Sequence, residues 1–269
     1  MVPPPGQFDT LNAVKEHYLR STVAVFLSSI LVVFSSGLVS AADTTVKDLP
    51  SGEENEIVGR YLNASRVQEE TLRGVKMDVE INAKLPKQEK TGKLVALRFI
   101  SRVGKISYHV LDFLGDNEVK KEVIARYLDA ETEGRENGSI AITPANYKFK
   151  LKQQFRDNNG PDGPRQIYVF QLTPRKPYRV GEFKGELWID GDTGMPLQES
   201  GQLVKNPSMF LKKVVFERDY QLQDGVSVPA HIQSKVDARF VGTAELSINF
   251  TNYSHQDSDD ADQKDSSDR

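Results

Sequence analysis

Cysteine is absent from all 269 residues. That removes disulfides, thiolate metal sites, cysteine nucleophiles and a lipid-modified N-terminal cysteine, and it leaves the compartment open. Histidine is scarce: His17, His109, His231 and His255 are the four, and no two stand at metal-ligand spacing. His109 and His231 each stand alone in strand-like segments, where a partly buried structural role is the ordinary reading. A G-x-S-x-G elbow, a P-loop and a dinucleotide-binding glycine motif are all missing. The reading therefore assigns no catalytic residue, no metal ligand and no cofactor, and expects no enzyme. A basic excess is also lacking, with a net charge of −3. Nucleic acid is not an expected partner, because it requires a concentrated basic field.

The charge is unevenly spread. His255–Arg269 carries six Asp against Lys264 and Arg269, while residues 1–41 balance Asp9 and Glu16 against Lys15 and Arg20. The body between them is close to neutral. Glycine (19) and proline (13) are near average, which excludes a collagen-like or wholly disordered chain.

Lys15 and Arg20 precede an uncharged run from Ser21 to Ala42 that ends in Val39-Ser40-Ala41. A charged, then apolar, then small order is that of a secretory signal, with cleavage expected after Ala41. An uncleaved N-terminal anchor is the alternative, since the run nearly suffices to span a bilayer. Either reading places the body outside the cytoplasm.

Ser51 and Glu54 form a capping-box pattern, and Ile57, Val58, Tyr61 and Leu62 follow at helical spacing, predicting a helix to about Leu72. The period then changes to two. Val75, Met77, Val79, Ile81, Ala83 and Leu85 alternate with polar residues, as a strand with one wet face does. Two more strands are expected over 93–102 and 105–113. A second amphipathic helix is expected over Gly115–Glu131, ending before Gly134, with Val119, Val123, Ile124, Tyr127 and Leu128 on its apolar stripe. From residue 140 onward strands and turns alternate. Tyr147, Phe149, Leu151 and Phe155 share one phase, and six further strands run to Asn252. The total is about ten or eleven strands with short connections and no domain linker. Long consecutive hairpins twist and curl, and two helices cannot cover both faces of so wide a sheet. The expectation is a mainly β, α+β chain: an antiparallel half-open β-barrel over residues 42–254, with the helices as plug or lid. The tail 255–269 is expected to be disordered.

Asp192-Thr193-Gly194 matches the carboxylate loop of aspartic proteases. With Asp190-Gly191 before it, a turn accounts for all five residues. The segment lacks the later acidic ligands of a calcium loop. The sequons at Asn63, Asn137, Asn249 and Asn252 are read as chance occurrences.

The order of elements, together with several phrases, resembles the LolA-like outer-membrane lipoprotein-sorting family. The phrases are Gly185-Glu186-Leu187-Trp188-Ile189-Asp190 leading to Thr193-Gly194-Met195-Pro196-Leu197, then Asn206-Pro207-Ser208-Met209-Phe210, Asp224-Gly225-Val226-Ser227-Val228-Pro229, and the closing Ala244–Phe250. The likeness covers roughly residues 53–253. It implies an unclosed barrel with helices over its mouth and acyl chains on the concave surface. The family's Arg-Pro strand element is not found: Arg98 and Arg102 lie in the corresponding strand without a following proline. Gate residues are therefore not carried over.

The resemblance implies a monomeric periplasmic carrier of lipid or lipoprotein acyl chains, meeting membrane-bound donor or acceptor proteins. A lipid-responsive sensor or protein-interaction module on the same fold is the alternative. Candidate lipid-facing residues are Val75, Met77, Val79, Ile81, Tyr147, Phe149, Leu151, Val214, Phe216, Leu246, Ile248 and Phe250. Ile57, Tyr61, Val123 and Tyr127 are candidates for the underside of the lid. A filled core would produce the same pattern.

Overall fold

A computed structural model describes residues 51–136, 141–158, 160, 163–206, 209, 211–223 and 225–255. The signal-like segment, Asn137, the turn residues Pro207, Ser208, Phe210 and Asp224, and the acidic tail beyond His255 lie outside the described residues. Helix α1 (Ser51–Thr71) precedes three strands: β1 (Val75–Leu85), β2 (Lys90–Ile100) and β3 (Ile106–Gly115). A helical segment follows, in three unbroken parts: α2 (Asn117–Val119), a π-helical stretch (Lys120–Ala125) and α3 (Arg126–Glu136). Seven further strands follow among the described residues: β4 (Tyr147–Asp157), β5 (Arg165–Pro174), β6 (Phe183–Asp190), β7 (Pro196–Leu203), β8 (Leu211–Gln223), β9 (Val226–Ala238) and β10 (Gly242–His255).

The strands form one antiparallel sheet in the order β3-β2-β1-β10-β9-β8-β7-β6-β5-β4. Each strand therefore pairs with its neighbour in sequence, with one exception: β1 meets β10. The sheet is not closed, since β3 and β4 are its two edges. The helical segment follows β3 and packs on β1, β2 and β3. A mainly β chain whose ten antiparallel strands form one sheet that stays open is the fold class that the alternation pattern led one to expect.

Alternation builds the concave face. On β1, Val75, Met77, Val79, Ile81, Ala83 and Leu85 are all buried, while the residues between them are partly or fully exposed. They form a first core with Leu94, Ala96 and Ile100 of β2, Leu246, Ile248 and Phe250 of β10, and Val119, Val123 and Ile124 from above. A second core gathers Ile57, Val58 and Tyr61 of α1 over Tyr147, Phe170, Leu172, Phe183, Leu187 and Ile189. Each such side chain contributes about 1.5–3 kcal/mol by leaving water.

Local chemistry sets the bends. β10 bulges between the partners of Lys76 and Asp78. Asn252 there takes the left-handed φ of 55° that Asn tolerates, and its amide donates to Asp78 Oδ2 at 2.6 Å. Gly194, at φ 74°, lies so close to α1 that a Cβ would stand 2.6 Å from the Arg60 carbonyl carbon. The Arg60 guanidinium donates to the Gly191 carbonyl at 2.6 Å, so the β6–β7 turn is the seat of α1.

Three expectations are corrected. The second helix does not end before Gly134 but continues to Glu136, because one Gly costs a helix only about 1 kcal/mol and does not oblige it to stop. β10 continues through His255, the residue assigned to the tail, because His255 pairs with Val75. Phe155 does not share a face with Tyr147 and Phe149: a bulge between Leu151 and Gln153 inverts the phase. Its ring packs edge-on against Trp188, at 5.7 Å, on the convex side.

Ile248 is fully buried and lies between Ile81 and Ile232 at the non-sequential pairing. Ile248→Ala is expected to lower stability by about 2–5 kcal/mol, read as a fall in the urea midpoint at constant m-value. A loss below about 1 kcal/mol would show that this seam is not tightly packed.

Candidate functional site: the concave face and its polar seam

Cross-strand rows define the concave face. One row passes through all ten strands as Leu151, Phe170, Leu187, Glu199, Arg218, Ile232, Ile248, Ile81, Leu94 and Phe113. Apolar residues occupy both arms, and an acid and a base stand side by side in the middle. Arg218 Nη1 donates to Glu199 Oε2 at 3.2 Å, and the Tyr220 hydroxyl donates to Glu199 Oε1 at 2.9 Å. Glu199 is buried, yet 38% of the Arg218 side chain is open. Nη1 makes the hydrogen bonds of Arg218 that occur among the described residues, to Glu199 and Tyr220.

A second polar group joins the sheet to its cover. Arg98 of β2 is buried and donates from Nη2 to Glu131 Oε1 of α3 at 2.7 Å. The other carboxylate oxygen accepts from the Tyr108 hydroxyl of β3 and, at 3.2 Å, from the Tyr127 hydroxyl. Arg98 Nη1 also meets Met77 Sδ at 3.4 Å, and its guanidinium lies 5.8 Å from the Phe250 ring centre. Burial pushes the Glu131 carboxyl up, but the Arg98 charge and the Tyr108 hydroxyl outweigh it and hold the pKa below 4.5. Burial raises the Tyr108, Tyr127 and Tyr220 phenols, so all three stay protonated as donors. Arg218 contributes to the fields at both Tyr127 and Glu131, which joins the two groups into one polar seam.

The candidate residues fall on both sides of this seam. Val75, Met77, Val79, Ile81, Leu246, Ile248 and Phe250 are buried in the first core, with Val123 and Tyr127 above them. Ile57, Tyr61 and Tyr147 are buried in the second. Phe149, Leu151 and Phe216 are half-buried against that second core, and Val214 is half-buried beside Val236. These four, with Tyr127, are the named side chains left partly open on the concave side. The sixteen candidates therefore do not form one continuous wall.

Sequence reasoning missed Glu131, Glu199, Arg218 and Tyr220, and left Arg98 without a role. A signal was present. Arg98 stands in phase with Leu94, Ala96 and Ile100, and Arg218 in phase with Val214 and Phe216. A charge at an inward position of an otherwise apolar phase marks a buried polar contact.

The other candidates for chemistry have structural roles. Asp190 Oδ1 accepts from the Asp192 and Thr193 amides and from the Thr193 hydroxyl, so Asp190 holds the turn and Asp192 is exposed. His231 Nδ1 lies 2.7 Å from Asn249 Oδ1 on the neighbouring strand, and His109 is exposed on β3. Among the described residues, no three acidic or histidine side chains are grouped to hold a metal, and no helix is long and apolar enough to cross a membrane.

No protein-family model and no curated protein matches the chain. Solved structures similar to it include the following three. A LolA superfamily protein from Nitrosomonas europaea is 10% identical, covers 77% of this chain and 95% of its own, and has a TM-score of 0.36. A DUF1329 family protein from Desulfovibrio piger is 12% identical, with coverages of 76% and 93% and a TM-score of 0.40. A domain described as of outer membrane lipoprotein-sorting type, from Vibrio parahaemolyticus, is 14% identical, with coverages of 79% and 98% and a TM-score of 0.38.

Glu131→Ala leaves the Arg98 charge buried and unpaired, and is expected to destabilise by about 3–5 kcal/mol. The double variant Arg98→Met/Glu131→Leu should lose less than either single one; equal, additive losses in a denaturation cycle would contradict the pairing. The pH dependence follows from the depressed carboxyl. Its stabilisation is complete above the unfolded value of 4.5 and is lost as pH falls through the lower folded value. Acid titration of wild type against Glu131→Gln should show this loss below pH 4.5 in the wild type alone.

Proposed function

We propose that the chain is a periplasmic binding or carrier protein for lipid or lipoprotein acyl chains, acting in outer-membrane lipoprotein sorting, and that it catalyses no reaction. The observation that carries this reading is the two-part cover of the concave face. The helical segment and α1 pack on separate apolar arms, while Phe149, Leu151, Val214 and Phe216 stay only half-buried and 38% of the Arg218 side chain is open. A face meant only as a core would be filled there, since voids destabilise. Acyl chains suit the apolar arms at about 0.8 kcal/mol per buried methylene. The open part of Arg218 suits a polar end of the same molecule. On this account α3 moves to admit cargo, and the Arg98–Glu131 bond sets how firmly it is held.

A second reading, an interaction module on the same fold, is favoured by the free edge of the sheet. β3 pairs only with β2, and Val110, Leu111 and Leu114 on it are exposed, Leu114 by 73%. Long, weakly charged edges accept partner strands.

The test is native mass spectrometry of the full chain made in a bacterial periplasm. Discrete added masses of phospholipid or acylated peptide, removed by organic extraction, are expected. Phe216→Asp, which sets a charge on the open part of the concave face, should abolish them while the protein stays folded. A clean apo mass with no uptake of added fatty acid would reject the carrier reading and leave the free edge as the functional surface.

A further inference from the structure

The near-neutral body conceals a local concentration of cations. On β4, Lys148 and Lys150 alternate with the inward Tyr147, Phe149 and Leu151 and are exposed on the convex side. Lys148 stands opposite Thr173 of β5, and the β5–β6 register carries that row on to Lys184 of β6, also exposed. Beyond β5 the connection Arg175-Lys176-Pro177-Tyr178-Arg179-Val180 returns to the start of β4. There Arg175 Nε donates to the Pro144 carbonyl at 2.9 Å and Arg179 Nη2 to Asn146 Oδ1 at 2.5 Å. Arg175, Lys176 and Arg179 are exposed. The acids within this surface are already engaged: Glu182 is buried against Arg179, and Glu186 pairs with Lys152 at 2.5 Å. Lys148, Lys150, Lys184, Arg175 and Lys176 remain without an acidic partner among the described residues.

Apolar side chains stand among these cations. Tyr178 is 38% and Val180 47% exposed at the crest of the connection, and Lys176 Nζ lies 5.8 Å from the Tyr178 ring centre. The distribution is asymmetric, because the opposite sheet edge, β3, holds no Lys or Arg.

We infer that this face, formed by β4, the start of β6 and the β5–β6 connection, docks on an anionic phospholipid surface. Lipid fits better than nucleic acid or an acidic protein, for two reasons. The cations spread over a convex sheet rather than lining a groove, and they surround an exposed Tyr and Val that can enter the headgroup layer. Lys stems lie along apolar surface while their ammonium groups stay at the headgroups. β4 is also one of the two free edges of the open sheet, so docking would bring that edge to the membrane. The inference holds whatever the interior binds.

The test is co-sedimentation of the full chain with phosphatidylcholine vesicles and with equimolar phosphatidylcholine–phosphatidylglycerol vesicles, in rising salt. Binding is expected only to the anionic vesicles and is expected to fall as salt rises. Lys148→Gln/Lys150→Gln/Lys184→Gln should weaken it on the order of a hundredfold, at about fivefold per cation. Tyr178→Ser/Val180→Ser, on an exposed connection, should weaken it several-fold with the charge intact. Equal binding to both vesicle types, full affinity in the triple variant, or capture of a duplex oligonucleotide in place of vesicles would each overturn the inference.

Discussion

Pairing of β1 with β10 is the constraint on which the molecule depends. Every other strand contact is made by a hairpin between sequence neighbours, and two such meanders alone would leave two separate sheets. Joining β1 to β10 brings residues 75–84 against 245–255 and makes one sheet of ten strands. The concave rows become continuous only because this register is met. A one-residue slip would turn Val79, Ile81 and Ala83 to solvent and bring Glu80 and Asn82 inside. The bulge at Asn252, held by its bond to Asp78, lies near the end of the pairing, which resumes at Lys76–Ser254 and Val75–His255.

The same surface divides into two apolar arms with a polar seam between them. Each arm has its own cover, α1 on one and the helical segment on the other, and each cover has a directional contact with the sheet. Arg60 and Gln68 tie α1 to the Gly191 and Ser227 carbonyls, while Glu131 ties α3 to Arg98. A buried ion pair is weak evidence for net stability, because desolvation offsets much of the attraction. It is, however, specific in geometry. A cover held by an ion pair over apolar side chains can exchange that contact for a ligand more readily than one interlocked throughout.

Much of this was legible in the residues. The change from helical to alternating period at Val75 located β1, and the Asp-Gly turns separated the later strands. What alternation conveys is the phase of each strand by itself. It does not say which strands pair, so the β1–β10 seam and the division into two cores were not visible. Nor does it register a bulge, which is why Phe155 was placed on the wrong face. The polar seam was missed for a different reason: Arg98, Glu199 and Arg218 had no assigned role until the register set Glu199 beside Arg218 and brought Glu131 of α3 to Arg98. Their inward phase was in the sequence; their partners, more than a dozen residues away in the chain, were not.

The central claim is that acyl chains lie on the concave face, against its half-buried side chains. Photocrosslinking with a fatty acid carrying a diazirine on its chain, followed by peptide mapping, tests it directly. The account predicts adducts on the concave residues Phe149, Leu151, Val214 and Phe216 and on Tyr127 of α3, suppressed by unlabelled fatty acid. Adducts confined to the convex side, at Trp188 or Leu111, or adducts that unlabelled fatty acid does not compete away, would contradict it.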